Sequence, residues 1–129
     1  MENRIPVERR IAPRYRCSGS ASIWQYGTNY AVSATVADIS ASGCYAELMT
    51  PMSVGTKVKL LISVQGLTIR TPAEVRTSHP GVGMGLQFQN VDESDRAILN
   101  QLIDQLSKAA AGQENAEVEI PPQLNPIQL

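Results

Sequence analysis

The residues best equipped for chemistry stand near the front of the chain. Arg9-Arg10-Ile11-Ala12-Pro13-Arg14-Tyr15-Arg16 places four guanidinium groups within eight residues of an otherwise nearly neutral protein. Guanidinium donates in a planar fork that matches phosphate oxygens and also the O6/N7 edge of guanine. A pair of arginines is therefore suited to an anion that carries both. Pro13 fixes its own φ and biases Ala12 away from helix, so Arg10 and Arg14 are expected on an extended or turning segment, able to hold a ligand from two sides. The plainer reading is a solvated basic arm, because short charge clusters are commonly just surface.

Composition sets what such an arm can serve. With 129 residues, 43% of them hydrophobic, the chain has enough for one compact core and too little for two ordinary domains. The net charge of −1 argues against a nucleic-acid binder held by a field over its whole surface. Any anion site must be local, and five of the 11 basic residues (Arg4, Arg9, Arg10, Arg14, Arg16) fall in the first sixteen positions. Cys17 and Cys44 are too few for a disulfide scaffold and form no C-x-x-C pair, so free thiols in a reducing cytosol are expected. No apolar run has signal-peptide or membrane-span length, which implies a cytoplasmic protein.

Elements to position the arm follow from periodicity. Cys17 to Trp24 and Tyr30 to Ile39 read as two strands around a Gly27/Asn29 turn. The second has Val32, Ala34, Val36 and Asp38 on one face, so Asp38 closes an apolar row. Asp38-Ile39-Ser40-Ala41-Ser42-Gly43 is a turn in which Gly43 supplies positive φ before a strand over Cys44 to Leu48. Lys57 to Val64 and Leu67 to Ser78 form a hairpin closed by Gln65-Gly66, with Pro72 marking a bulge or edge. Val82 to Gln89 is a last strand whose glycines imply close backbone approach. Asp92 then reads as a helix N-cap, and Ile98, Leu99, Leu102, Ile103 and Leu106 form one apolar stripe, a lid for one barrel end rather than a partner-binding helix. The fold expected is all-β dominated: a six-stranded antiparallel (split) β-barrel with one C-terminal amphipathic α-helix. Residues 1–8 are expected as a flexible arm, 9–107 as barrel plus helix, and 108–129 as a disordered tail, with Val118, Ile120, Leu124, Ile127 and Leu129 its scattered apolar positions.

Two short motifs now stand in order. Arg10-Ile11-Ala12-Pro13-Arg14 reads R-x-x-x-R, and Asp38-Ile39-Ser40-Ala41-Ser42-Gly43 reads [DN]-x-S-x-x-G. Each alone is cheap, but together and separated by a strand pair they resemble the PilZ domain family, bacterial receptors for cyclic di-GMP. The likeness continues through Ser53-Val54-Gly55, the Ala73-Glu74-Val75-Arg76 strand and Gly83-Met84-Gly85-Leu86-Gln87-Phe88, spanning about Arg9 to Leu106. It implies a cyclic di-GMP site in which Arg10 and Arg14 supply the forks and Asp38 accepts from a guanine edge. Ser40 would bond a phosphate or hold the turn, Gly43 would admit close backbone approach, and Arg9 would add a contact to a second, stacked ligand molecule. The implied mechanism is an arm mobile without ligand, pinned by it, and read by a separate effector protein.

Other functions fare less well on the same residues. Catalysis and metal binding lack candidates: His79 is a lone turn histidine, and neither it nor the cysteines have ligand spacing. No cofactor is implied. A PilZ-like adaptor that binds protein and not nucleotide is the main alternative. A barrel for single-stranded nucleic acid could use Tyr15, Trp24, Tyr26, Tyr30 and Tyr45, but the overall charge opposes it.

Overall fold

The computed structural model describes residues 12–119, with side chains through residue 112. Among the described residues six strands, β1 (Tyr15–Gln25), β2 (Val32–Ile39), β3 (Gly43–Glu47), β4 (Lys57–Val64), β5 (Leu67–His79) and β6 (Gly83–Phe88), precede one helix, α1 (Glu93–Glu119). They pair antiparallel in the order β1-β2-β3-β6-β5-β4, and β4 returns to β1, so the barrel is closed. Closure leaves no full-length edge for another chain to pair with.

Alternation sets the inside. Val58, Leu60, Ile62 and Val64 of β4 face inward between exposed or half-buried neighbours, and Ile69, Thr71, Ala73 and Val75 do the same on β5. Gln65 and Gly66, at φ 52° and 80°, join them with both turn residues left-handed, the geometry that matches the twist of a two-residue hairpin. Ile23, Val36, Ile39, Cys44, Met84 and Phe88 complete the core. Each fully buried aliphatic side chain contributes roughly 1.5–3 kcal/mol.

The β6 ladder ends at Ala73↔Phe88, so β5 from Leu67 to Pro72 has one side open. The Arg70 amide faces that side and donates to Asp95 Oδ1 at 2.9 Å. Pro72, two residues on, faces the same way and has no N–H to leave unpaired, which is the edge position its type requires. Leu99, Leu102 and Leu106 of α1 are buried against the barrel, where the helix meets β5 and β1. The apolar stripe is thus a lid. Beyond it Ala109, Ala110 and Ala111 are exposed strong helix formers, and α1 runs to Glu119, past the residue 108 at which the sequence places the start of a tail.

Cys44 lies at the barrel centre. Burial, with a smaller contribution from the Asp38 charge, pushes its thiol up to about 12 from 9.0. The folded thiol stays protonated where the unfolded one ionises, so stability is intact below pH 9 and falls as pH rises from 9 toward 12. Urea midpoints of the wild type should fall between pH 8 and pH 10 more steeply than those of Cys44→Ala; equal slopes would mean Cys44 contributes nothing.

Candidate functional site

Asp38 reaches the surface because β2 is irregular. Val36 pairs with Ala46, both inward, yet Asp38 pairs with Tyr45 and Ile39 with Cys44, so Ala37 is an extra residue without a partner on β3. Strict alternation would have put Asp38 on the inner face with Val36, where an unpaired carboxylate is very costly. The bulge moves it outward and leaves Ile39 to fill the core. Asp38 therefore does not close an apolar row.

The turn that follows is fixed from within. Ser40 is 2% exposed; its Oγ accepts from the amides of Ser42 at 3.1 Å and Gly43 at 3.2 Å. The Ser40 amide in turn donates to Gly43 O at 2.8 Å. Of the two tasks open to Ser40, this geometry performs the second, holding the turn, and the Ser42 hydroxyl of the exposed residue beside it lies 3.3 Å from Ser40 Oγ. From outside, Phe88 N donates to Ser42 O at 2.8 Å, and Arg96 of α1 reaches across to donate to Ala41 O at 2.7 Å. The lid helix and the turn are thereby joined directly.

Gly43 is needed for a reason other than positive φ, which it does not have. A Cβ there would run into the Leu86 carbonyl oxygen of β6, with the Leu86 carbonyl carbon 3.3 Å away. Absence of a side chain is what allows β3 and β6 to pair at the turn.

Arg14 Nη1 bonds Asp38 Oδ1 at 2.7 Å, so the second arginine of the R-x-x-x-R segment and the acid of the D-x-S-x-x-G turn share one spot. In this structure Arg14 is paired with Asp38 against the barrel. Arg9 and Arg10 lie outside the described residues. Arg14 and Asp38 are 55% and 29% exposed, which leaves both accessible to a solute. A shallow groove of about 260 Å³ opens beside them, lined by Arg14, Ser42, Gly43, Arg76, Thr77 and Gln87, with Gly85 and Leu86 in its floor.

Arg76 is a second guanidinium in this groove, and in the sequence it is legible only as a strand residue. Its position depends on an irregularity in β5, whose register against β6 shifts between Val75 and Thr77. Arg76 Nη1 donates to Gln87 Oε1 across the pair, which aims the fork along the groove. Two cations and a carboxylate around a shallow surface, with the Ser42 and Thr77 hydroxyls already engaged by Ser40 Oγ and the Gly85 amide, can receive a flat, doubly charged, donor-rich ligand. A larger cavity of about 720 Å³ lies apart, among Trp24, Tyr26, Lys59, Arg70, Asp92 and Asp95, and shares no lining residue with this groove.

The family model described as the PilZ domain matches residues 8–105, which includes the arginine segment, all six described strands and α1 through Gln105. The chain belongs to the PilZ domain family. Solved PilZ structures share the fold. The PilZ domain with c-di-GMP of YcgR from Escherichia coli aligns at TM-score 0.66 with 18% identity, covering 83% of this chain and 98% of that one. The PilZ domain of CeSA from a cellulose synthesizing bacterium aligns at 0.60 with 16% identity, over 74% and 99%. The Bacillus subtilis inhibitor of motility, MotI/DgrA, aligns at 0.60 with 21% identity, over 75% of this chain and 50% of that one. No curated protein matches in sequence. At such identities the likeness is one of PilZ fold, and the ligand question rests on this chain's own residues. Among the described residues no helix is long and apolar enough to cross a membrane.

Proposed function

We propose that the chain is a cyclic di-GMP receptor in the bacterial cytoplasm, without catalytic activity of its own, that converts ligand binding into altered contact with a separate effector protein. The observation that carries this reading is the Arg14–Asp38 pair at 2.7 Å, which unites the two PilZ signature segments beside a groove holding a second arginine. Arg10 and Arg14 fork onto phosphate and the guanine O6/N7 edge, and Asp38 accepts from guanine N1–H and N2–H. Gly43 keeps the turn close to β6, and Ser40 keeps it in shape. Arg9 contacts a second, stacked ligand molecule.

Binding on this reading is an exchange. Asp38 gives up part of its bond to Arg14 for the base edge, and Arg14 turns to phosphate, so an existing ion pair is replaced by several ligand bonds. Charge-assisted hydrogen bonds contribute roughly 1.5–3 kcal/mol each. Three or four of them, less about 1 kcal/mol per residue newly ordered, leave room for micromolar affinity, near −8 kcal/mol. The Arg96 bond to Ala41 O offers a route from the turn to α1, the element whose end stands clear of the barrel.

Calorimetric titration of cyclic di-GMP into the wild type and an Arg10→Ala, Arg14→Ala double variant tests this. Heat with the wild type alone is expected. A second reading has one observation in its favour: Arg14 and Asp38 satisfy each other without ligand, as they would in an adaptor that binds only protein. No heat with the wild type would select that adaptor, and equal heat with both proteins would put the site elsewhere.

A further inference from the structure

The cross-strand register lines up five residues on the outer surface: Arg16 of β1, Asp38 of β2, Tyr45 of β3, Gly85 of β6 and Thr77 of β5. Side chains directly opposite on neighbouring strands lie about 4.5–5.5 Å apart at Cβ. Tyr45 is therefore the immediate neighbour of the acid assigned to the guanine edge. Its ring is not free to swing. The hydroxyl is 2.9 Å from His79 Nδ1, and the ring lies along β6, where neither Gly83 nor Gly85 has a side chain to lift it. A Cβ on Gly83 would stand 2.7 Å from Tyr45 Cε2, and one on Gly85 would stand 4.0 Å from Cδ1. Gly85 also lines the groove with Arg14 and Arg76.

We infer that Tyr45 is a stacking platform for a purine of the ligand, clamped flat by His79 over the Gly83/Gly85 track. This rests on the receptor reading above and adds the residue that recognises the face of the base, where Asp38 recognises its edge. A ring held at both ends loses little further freedom when a base settles on it. The other half-buried or exposed aromatics near a cavity, Trp24 and Tyr26, border the separate 720 Å³ cavity and cannot take this part.

Cyclic di-GMP titrated into wild type, Tyr45→Ala, Tyr45→Phe and His79→Ala distinguishes the possibilities. Tyr45→Ala should bind roughly 5- to 150-fold more weakly, the span that loss of one base–aromatic stack gives. Tyr45→Phe and His79→Ala, which keep the ring and lose only the clamp, should stay within about threefold of wild type. The guanine H8 proton should move upfield on binding wild type and Tyr45→Phe and not on binding Tyr45→Ala, a ring-current signature that a merely structural role would not produce. Unchanged affinity in Tyr45→Ala, or equal loss in Tyr45→Phe, overturns the platform and leaves the receptor reading intact. A wild type that binds nothing overturns both.

Discussion

Asp38→Ala is expected to weaken cyclic di-GMP binding by at least about 100-fold while moving the melting temperature only slightly. The two effects separate because Asp38 does different things in the free and bound protein. In the free protein it holds Arg14 in an exposed pair, and exposed pairs contribute about 0–1 kcal/mol after solvent screening. On the proposed binding mode it accepts from two donors on one guanine edge in the bound protein. Two charge-assisted bonds at roughly 1.5–3 kcal/mol each convert to 100-fold or more at 1.4 kcal/mol per decade. Asp38→Asn keeps an acceptor oxygen without the charge and should fall between the wild type and Asp38→Ala. Calorimetry and a thermal melt on the same preparations check both halves; a large melting shift with unchanged affinity would make Asp38 a structural residue only.

Gly43→Ala should be among the most damaging single added methyls at the described residues. The added carbon points into the Leu86 carbonyl oxygen, and its next neighbours are the Leu86 carbonyl carbon at 3.3 Å and Gln87 Cα at 3.4 Å. All three are backbone, so relief requires β3 and β6 to part where Phe88 N bonds Ser42 O. Overpacking of this kind costs about 2–4 kcal/mol, which for a chain of this size is a fall of about 10 °C or more in melting temperature. Ligand affinity should fall with it, because the same movement displaces Asp38. Far-UV circular dichroism on heating measures the first effect. A melt within about 2 °C of wild type would show that the strands have slack the geometry denies.

These two positions also mark where the sequence was readable and where it was not. Lys57 to Val64 and Gln65-Gly66 were legible because alternation and a two-residue turn are local properties, and the strand runs over those residues. The lid helix was legible in the same way, from one stripe at helical spacing ending in Leu106. Asp38 and Gly43 were found as motif residues but given wrong physical reasons. Alternation counted from Val32 puts Asp38 inward, and only the partner strand reveals that Ala37 is supernumerary. Gly43 resembles any turn glycine until Leu86, 43 positions along the chain, is brought against it.

The place of Arg76 in the groove is not legible in sequence because its exposure depends on a register shift against β6, nor is that of Tyr45, because its neighbours Gly83, Gly85 and His79 are far away along the chain. Pairing along the chain can be read from composition and period. Pairing across the barrel cannot, and the groove is built from Arg14 just before β1, the β2–β3 turn, β3, β5 and β6. The R-x-x-x-R and D-x-S-x-x-G segments were visible because each is contiguous; that Arg14 and Asp38 meet is a property of the closed sheet.

The receptor reading needs one location for the ligand, and the described residues include two concave surfaces, the groove beside Arg14 and the larger cavity beside Trp24. Backbone amide shifts followed by NMR during addition of cyclic di-GMP decide it. The perturbed amides are expected to be those of residues 12, 14–16, 38–45, 76–79 and 83–88, around Arg14, Asp38 and Tyr45. Perturbation centred instead on Trp24, Tyr26, Lys59 and Arg70, with Asp38 and Gly43 unmoved, would contradict it.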